Sequence, residues 1–187
     1  MLKSFYQSLL WQILPHRLLC KHILNLGNIE AVVFDFDGVF SDNRVYTDQD
    51  GREMVCCNRS DGIGLKRLRD LGLAHCVISK ERNEAVAKRC EKLGIDAFTG
   101  IDNKIETLRN WLADHEISAD HAIFVGNDTP DLDCMKFVKY GFCPSDAHED
   151  VLQSANFIIP SRGGDAFVRK ICDLVADHLE IRRKETL

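Results

Sequence analysis

Four polar groups stand out in this chain for what they could do together: Asp35-Phe36-Asp37-Gly38, Ser79, Lys104, and the run Gly126-Asn127-Asp128-Thr129-Pro130-Asp131. Asp35 and Asp37 follow Ala31 to Phe34, a short apolar run that reads as a strand buried on both faces. In extended chain, side chains two apart share a side, so the two acids are expected to point together. Gly38 then frees the backbone to turn. Two carboxylates at the end of a buried strand are costly unless a cation or a reacting group offsets them. Open α/β sheets hold their ligands at that end. Ser79, Lys104 and residues 126–131 each come after a later strand-like run. Alone, each is weak: a DxD occurs by chance, a serine after a strand is usually a helix cap, and a lone lysine is usually solvated. Their order, at successive strand ends, carries the signal.

The residue types suit phosphoryl transfer. A phosphate monoester is a dianion, and its charge must be offset before a carboxylate can attack. Mg²⁺ prefers oxygen ligands, few of them from protein. Asp35, Asp128, a backbone carbonyl and the Asn127 amide oxygen fit that preference. A lysine adds a point charge beside a transferring phosphoryl group, and a serine hydroxyl donates a hydrogen bond to it. Aspartate is a known covalent nucleophile, and a second acid can protonate the leaving oxygen and then activate water.

These motifs resemble the four motifs of the haloacid dehalogenase-like phosphatases over about residues 30–180. The only sizeable insertion is a hairpin after the first strand, from Arg44 to Asn58, which leaves no room for a large cap. Asn58-Arg59-Ser60-Asp61-Gly62-Ile63-Gly64 and Ser161-Arg162-Gly163-Gly164 are also similar to the capless branch. That branch holds the 3-deoxy-octulosonate 8-phosphate and nonulosonate 9-phosphate phosphatases, and the phosphatase-like module of some acylneuraminate cytidylyltransferases. The resemblance implies a Mg²⁺-dependent homotetramer acting on a phosphorylated 2-keto-3-deoxy sugar acid in the cytoplasm. It makes Asp35 the nucleophile and a metal ligand. Asp37 becomes the general acid/base, with its backbone carbonyl on the metal. Ser79 and Lys104 hold the phosphate, Asp131 stands behind the metal, and Glu81 and Asp61 face the sugar.

The chain departs from the family pattern in three places. Asn127 stands where an Asp is usual, so the metal falls to Asn127 or Asp128. Ser79-Lys80-Glu81-Arg82 replaces the usual Thr-Gly-Arg of octulosonate phosphatases; a carboxylate at 81 would accept sugar hydroxyls. Asp165-Ala166 alters the glycine-rich tail motif. The Asn127 form matches the cytidylyltransferase-associated module, which leaves a weakly active or inactive oligomerisation module as the alternative. A response-regulator-like receiver fits less well, because Gly38 directly follows the second acid.

Elements that would position these groups are legible. After the hairpin, Asp61 opens a helix to about Leu71, with Asp61 as its cap. Strands over 73–79, 96–99 and 121–125 alternate with helices over 83–93, 104–114 and from about Pro130. Two more strands follow at 141–144 and 157–160, and a last helix spans 165–179. Such alternation means a doubly wound parallel sheet. Residues 1–29 stand apart: Leu2, Phe5, Tyr6, Leu9, Leu10, Ile13 and Leu14 repeat at helical spacing, and Pro15 breaks the pattern. This extension packs on the domain or on a sister subunit in one reading and lies on a membrane surface in another; Gln7, Gln12 and Pro15 interrupt its apolar region and disfavour a signal peptide. Residues 181–187 read as a solvated charged tail.

Bulk properties fit a single domain. The chain has 187 residues, 45% hydrophobic and 28% charged, with a net charge of −5 that gives no support for nucleic acid. Its eight cysteines form no CxxC and read as reduced thiols. Asp42, Asp48 and Asp50 read as solvated hairpin residues. The scattered histidines argue against a zinc site.

Overall fold

A computed structural model describes residue 26 and residues 28–185. The amphipathic stretch at residues 2–14 lies outside them. Strand β1 (Ala31–Phe34) is buried throughout and lies inside a six-stranded sheet. Its companions are β4 (Ala74–Ile78), β5 (Asp96–Phe98), β6 (Ala122–Val125), β7 (Tyr140–Pro144) and β8 (Phe157–Ile159). The order is β5-β4-β1-β6-β7-β8, and every pairing is parallel. From β1 the chain fills one side of the sheet and then crosses to the other, so its direction reverses between β1 and β6. That reversal opens a crevice at the carboxyl ends of the two strands.

Side-chain alternation along β1 builds two cores. Val32 and Phe34 join Leu65, Leu68, Phe167 and Ile171 on one face. These come from α1 (Asp61–Asp70) and α6 (Phe167–Glu185). Ala31 and Val33 join Leu108, Trp111, Cys134 and Met135 on the other. These belong to α3 (Lys104–Asp114) and α4 (Leu132–Phe137). Helix α2 (Glu84–Leu93) starts where Asn83 accepts the Ala85 N–H. The fold is the expected doubly wound α/β sheet without a large cap. The insertion after β1 is an antiparallel hairpin, β2 (Ser41–Thr47) and β3 (Glu53–Cys57). Its tip is tied by Asp48, which accepts the N–H groups of Asp50 and Arg52. Among the described residues no helix is long and apolar enough to cross a membrane.

Four local expectations are corrected. The helix expected from Pro130 begins as a 3-10 turn, Thr129–Asp131, before α4; Pro130 fits a first turn because it has no N–H to leave unpaired. A short helix, α5 (Glu149–Ser154), stands where none was expected. Helix α6 continues to Glu185, so the charged tail is helical over 181–185. Arg182, Arg183 and Lys184 lie in its last turn, where cations complement the exposed carbonyls. Finally, Ser60 takes the cap position of α1, and the buried Asp61 instead accepts the N–H of Arg169 at 3.2 Å. Asp61 thus ties α1 to the first turn of α6, and burial pushes its carboxyl up to about 6.

The loop after β8 folds back on the turn after β1. The Gly164 N–H donates to the Val39 oxygen at 3.1 Å, and the Gly163 N–H to Asp146 Oδ1 at 3.0 Å. A Cβ on Gly163 would collide with the main-chain oxygen of Gly38. Gly163→Ala should therefore lower stability by about 1–3 kcal/mol through overpacking. Thermal melting checks this; a wild-type melting temperature would mean the two loops are not in contact.

Candidate active site

The site is built where β1 ends. The Asp35 N–H still pairs with the Val125 oxygen of β6, at 2.8 Å, and Asp35 itself is buried. The chain then turns sharply: the Phe36 oxygen accepts the N–H groups of Val39 and Phe40 at 3.1 and 2.8 Å. Stacked Phe36 and Phe40 rings, 5.4 Å apart and both buried, anchor this turn in the core. Gly38 has φ +78°, and a Cβ there would collide with the Asn127 amide. Because of the turn, Asp35 and Asp37 do not simply share one side of a strand. Asp37 offers its main-chain oxygen to Asn127, while its carboxylate accepts the Ser41 hydroxyl at 3.0 Å.

Lys104 is the first residue of α3, which is capped by Asn103 accepting the Glu106 N–H. Its buried ammonium lies 2.6 Å from Asp35 Oδ1 and 2.7 Å from Asp131 Oδ1. Asp131 Oδ2 accepts the N–H groups of Asn127 at 2.9 Å and Asp128 at 3.3 Å. Asp131, expected to stand behind the metal, thus grips Lys104 directly and pins the 126–131 loop. Burial and the Asp131 charge push the Asp35 carboxyl above its ordinary range, against the pull of Lys104. Burial works against the Lys104 charge, yet the two carboxylates outweigh it and hold the ammonium above its usual value. Burial, aided by Glu81 and Glu53, also raises Asp37. Its Oδ2 is buried and has no partner among the described groups. A raised carboxyl keeps its proton to higher pH than an ordinary aspartate, which suits a general acid.

One heavy atom of the Asn127 amide lies 3.2 Å from Asp35 Oδ2 and 2.8 Å from the Asp37 main-chain oxygen. As nitrogen it donates to both. Turned over, the amide would bring its oxygen beside theirs, a donor set that a cation would accept. Carboxylate, carbonyl and amide oxygens are the donors that Mg²⁺ prefers. No group of three His, Cys, Asp or Glu side chains suited to a metal occurs among the described residues; the converging set mixes main-chain and amide oxygens with one carboxylate. Asp128 turns its carboxylate to the Thr129 N–H at 2.6 Å, capping the 3-10 turn.

Ser79 is buried at the end of β4, and its hydroxyl accepts the Glu81 N–H at 3.1 Å. The Ser79 main-chain oxygen accepts the Ile101 N–H at 3.0 Å, which ties it to the loop leading into Lys104. Glu81 is exposed. Asn83 donates to Glu53 at 2.9 Å, linking the hairpin to this loop. The Asp61 carboxylate is engaged on α6. Ser41 was not expected in the site. Its only signal is a small hydroxyl four residues after Asp37, buried where the hairpin begins.

Residues 74–171 match the model of the haloacid dehalogenase-like hydrolases. The chain belongs to that family. It is 30% identical over 154 residues, 82% of each protein, to the 3-deoxy-D-manno-octulosonate 8-phosphate phosphatase of Escherichia coli K12. The crystal structure of the corresponding Yersinia pestis phosphatase is 30% identical, with a TM-score of 0.78 over 83% of this chain and 86% of that one. The Haemophilus influenzae phosphatase, solved in a cobalt-bound form, is 25% identical, with a TM-score of 0.78 over 83% and 92%. The hydrolase expectation and the resemblance to capless phosphatases are borne out by these relatives.

Two outcomes follow for this hydrolase. Asp131→Asn removes one of the two anions that hold Lys104. It should lower turnover about 10–100-fold, the usual effect of losing a partner that orients a site; full turnover would show that Lys104 is held without it. The second concerns the proton on Asp35. Its raised carboxyl contributes stability at low pH, below the unfolded value, and that contribution is lost as pH rises through the folded value. A divalent cation must displace the same proton. The Mg²⁺-induced gain in melting temperature should therefore grow from about pH 5.5 to about pH 8, and Asn127→Asp should enlarge it at the upper end. A gain independent of pH and of residue 127 would place the cation elsewhere.

Proposed function

We propose that this chain is a Mg²⁺-dependent phosphatase that removes phosphate from a phosphorylated 2-keto-3-deoxy sugar acid of eight or nine carbons. The observation that carries the reading is the buried Asp35–Lys104–Asp131 bridge beside the oxygen set of Asp35, Asp37 and Asn127. The substrate class rests on the Escherichia coli and Yersinia pestis relatives, which are octulosonate 8-phosphate phosphatases.

The Asp35 carboxylate, the Asp37 main-chain oxygen and the Asn127 amide oxygen would hold Mg²⁺. When bound, the ion offsets the negative charge that otherwise keeps a carboxylate from a phosphate dianion. Lys104 orients Asp35 and neutralises the phosphoryl oxygens, and the Ser79 hydroxyl donates to them. Asp35 forms a bond to phosphorus as the bond from phosphorus to the sugar oxygen breaks, and Asp37 gives that oxygen its proton. Water then attacks the aspartyl-phosphate while Asp37 takes a proton back. Inorganic phosphate leaves and Asp35 is restored. Glu81, exposed above Asp37, supports recognition of sugar hydroxyls.

The reading extends to a cytoplasmic homotetramer that acts on a small-molecule sugar phosphate and not on nucleic acid. Exposed Val45, Tyr46 and Met54 on the hairpin are the kind of apolar surface that copies share. Phosphate release from eight- and nine-carbon keto-sugar acid phosphates, with and without Mg²⁺, tests the proposal. Release should require Mg²⁺ and fall at least about 10³-fold in Asp35→Asn. No release from any substrate at high enzyme concentration would leave the oligomerisation-module reading in its place.

A further inference from the structure

A groove lies at the end of the sheet opposite the active site. It encloses about 900 Å³ between the amino-terminal ends of β1 and β4, the loop after α3 and the last turns of α6. Leu71, Leu73, Ala74, Ile117 and Leu179 line it, and all but Leu73 keep part of their apolar surface exposed. Its polar lining, including Asn28, Glu30, His115 and Arg183, is exposed or half-buried and forms a rim. No buried polar group among these reaches into it, and open α/β sheets bind ligands at the other end. A small-molecule site is therefore a poor match. An apolar helix face is a good one.

We infer that this groove docks the chain's own amphipathic segment, residues 2–14. Three observations select that occupant. The described chain begins here: Leu26 is buried in the core, Ile29 is buried, and Asn28 and Ile29 line the groove itself. The eleven residues 15–25 can span up to roughly 36 Å, so the segment can return to the groove from its own attachment point. Leu2, Phe5, Tyr6, Leu9, Leu10, Ile13 and Leu14 form one apolar stripe at helical spacing that needs an apolar partner surface, and the groove offers one beside the segment's attachment point. A tether of this length also gives the segment an effective concentration on the order of millimolar, so even weak affinity seats it. The segment has no acid, and half-buried Glu30 on the rim is the anion nearest its attachment point.

The dock is independent of the phosphatase reading, because the groove and the active site lie at opposite ends of the sheet. Hydrogen exchange on the full chain tests it. Amides of residues 5–14 should exchange at least about tenfold more slowly than unstructured chain, at dilute and concentrated protein alike and without lipid. Ile117→Lys with Leu179→Lys should abolish that protection while β1 amides stay protected and phosphate release stays within twofold. Leu9→Asp with Leu10→Asp, made in the segment itself, should give the same loss if the groove variant disturbs folding. Random-coil exchange over 5–14 would overturn the inference. So would protection that grows with protein concentration, which seats the segment on a second copy. Protection that appears only with anionic phospholipid vesicles would assign the segment to a membrane surface instead.

Discussion

A single buried ammonium, that of Lys104, holds this site together. It sits between Asp35 and Asp131, and no one element supplies all three groups. Asp35 is fixed by the β1–β6 pairing, Lys104 by the Asn103 cap of α3, and Asp131 by the 3-10 turn after β6. Removing one partner from a buried ion pair typically costs about 3–5 kcal/mol, because the other charge is stranded away from water. The three elements are thus locked to one another at the crevice where the sheet changes direction. The site and the sheet's stability share one interaction.

Two carboxylates against one ammonium leave the cluster with an excess of negative charge, which burial makes expensive. Burial first, and the Asp131 charge second, raise the Asp35 carboxyl. A divalent cation would relieve that excess, and Asp35, the Asp37 main-chain oxygen and the Asn127 amide are placed to hold one. Asn127 bears on the same balance. Its amide can donate through nitrogen when no cation is near, or ligate through oxygen when one is. An aspartate there would add charge that the empty cluster could ill accommodate.

Much of this was legible before any coordinates. Val32, Val33 and Phe34, apolar on both faces, announce a central parallel strand, and the strand-helix alternation announces the sheet. The Asp35 to Gly38 run and Lys104 are recognisable through their order at successive strand ends, not singly. The rest depended on contacts between distant segments. Nothing local says that Asp61 caps α6 rather than α1, because 108 residues of chain separate it from Arg169. Helix α6 outran its apolar pattern because charged residues complement its last turn. The direct grip of Asp131 on Lys104 was hidden for the same reason: 27 residues separate them, and only the sheet brings them together.

The central claim is that Asp35, oriented by Lys104, accepts the phosphoryl group. The most direct measurement is to quench the enzyme during turnover, reduce any acyl-phosphate with borohydride, and map the altered residue by mass spectrometry. The account predicts homoserine at position 35 and nowhere else. Rapid turnover with Asp35 intact, or with the altered residue at another carboxylate, would contradict it.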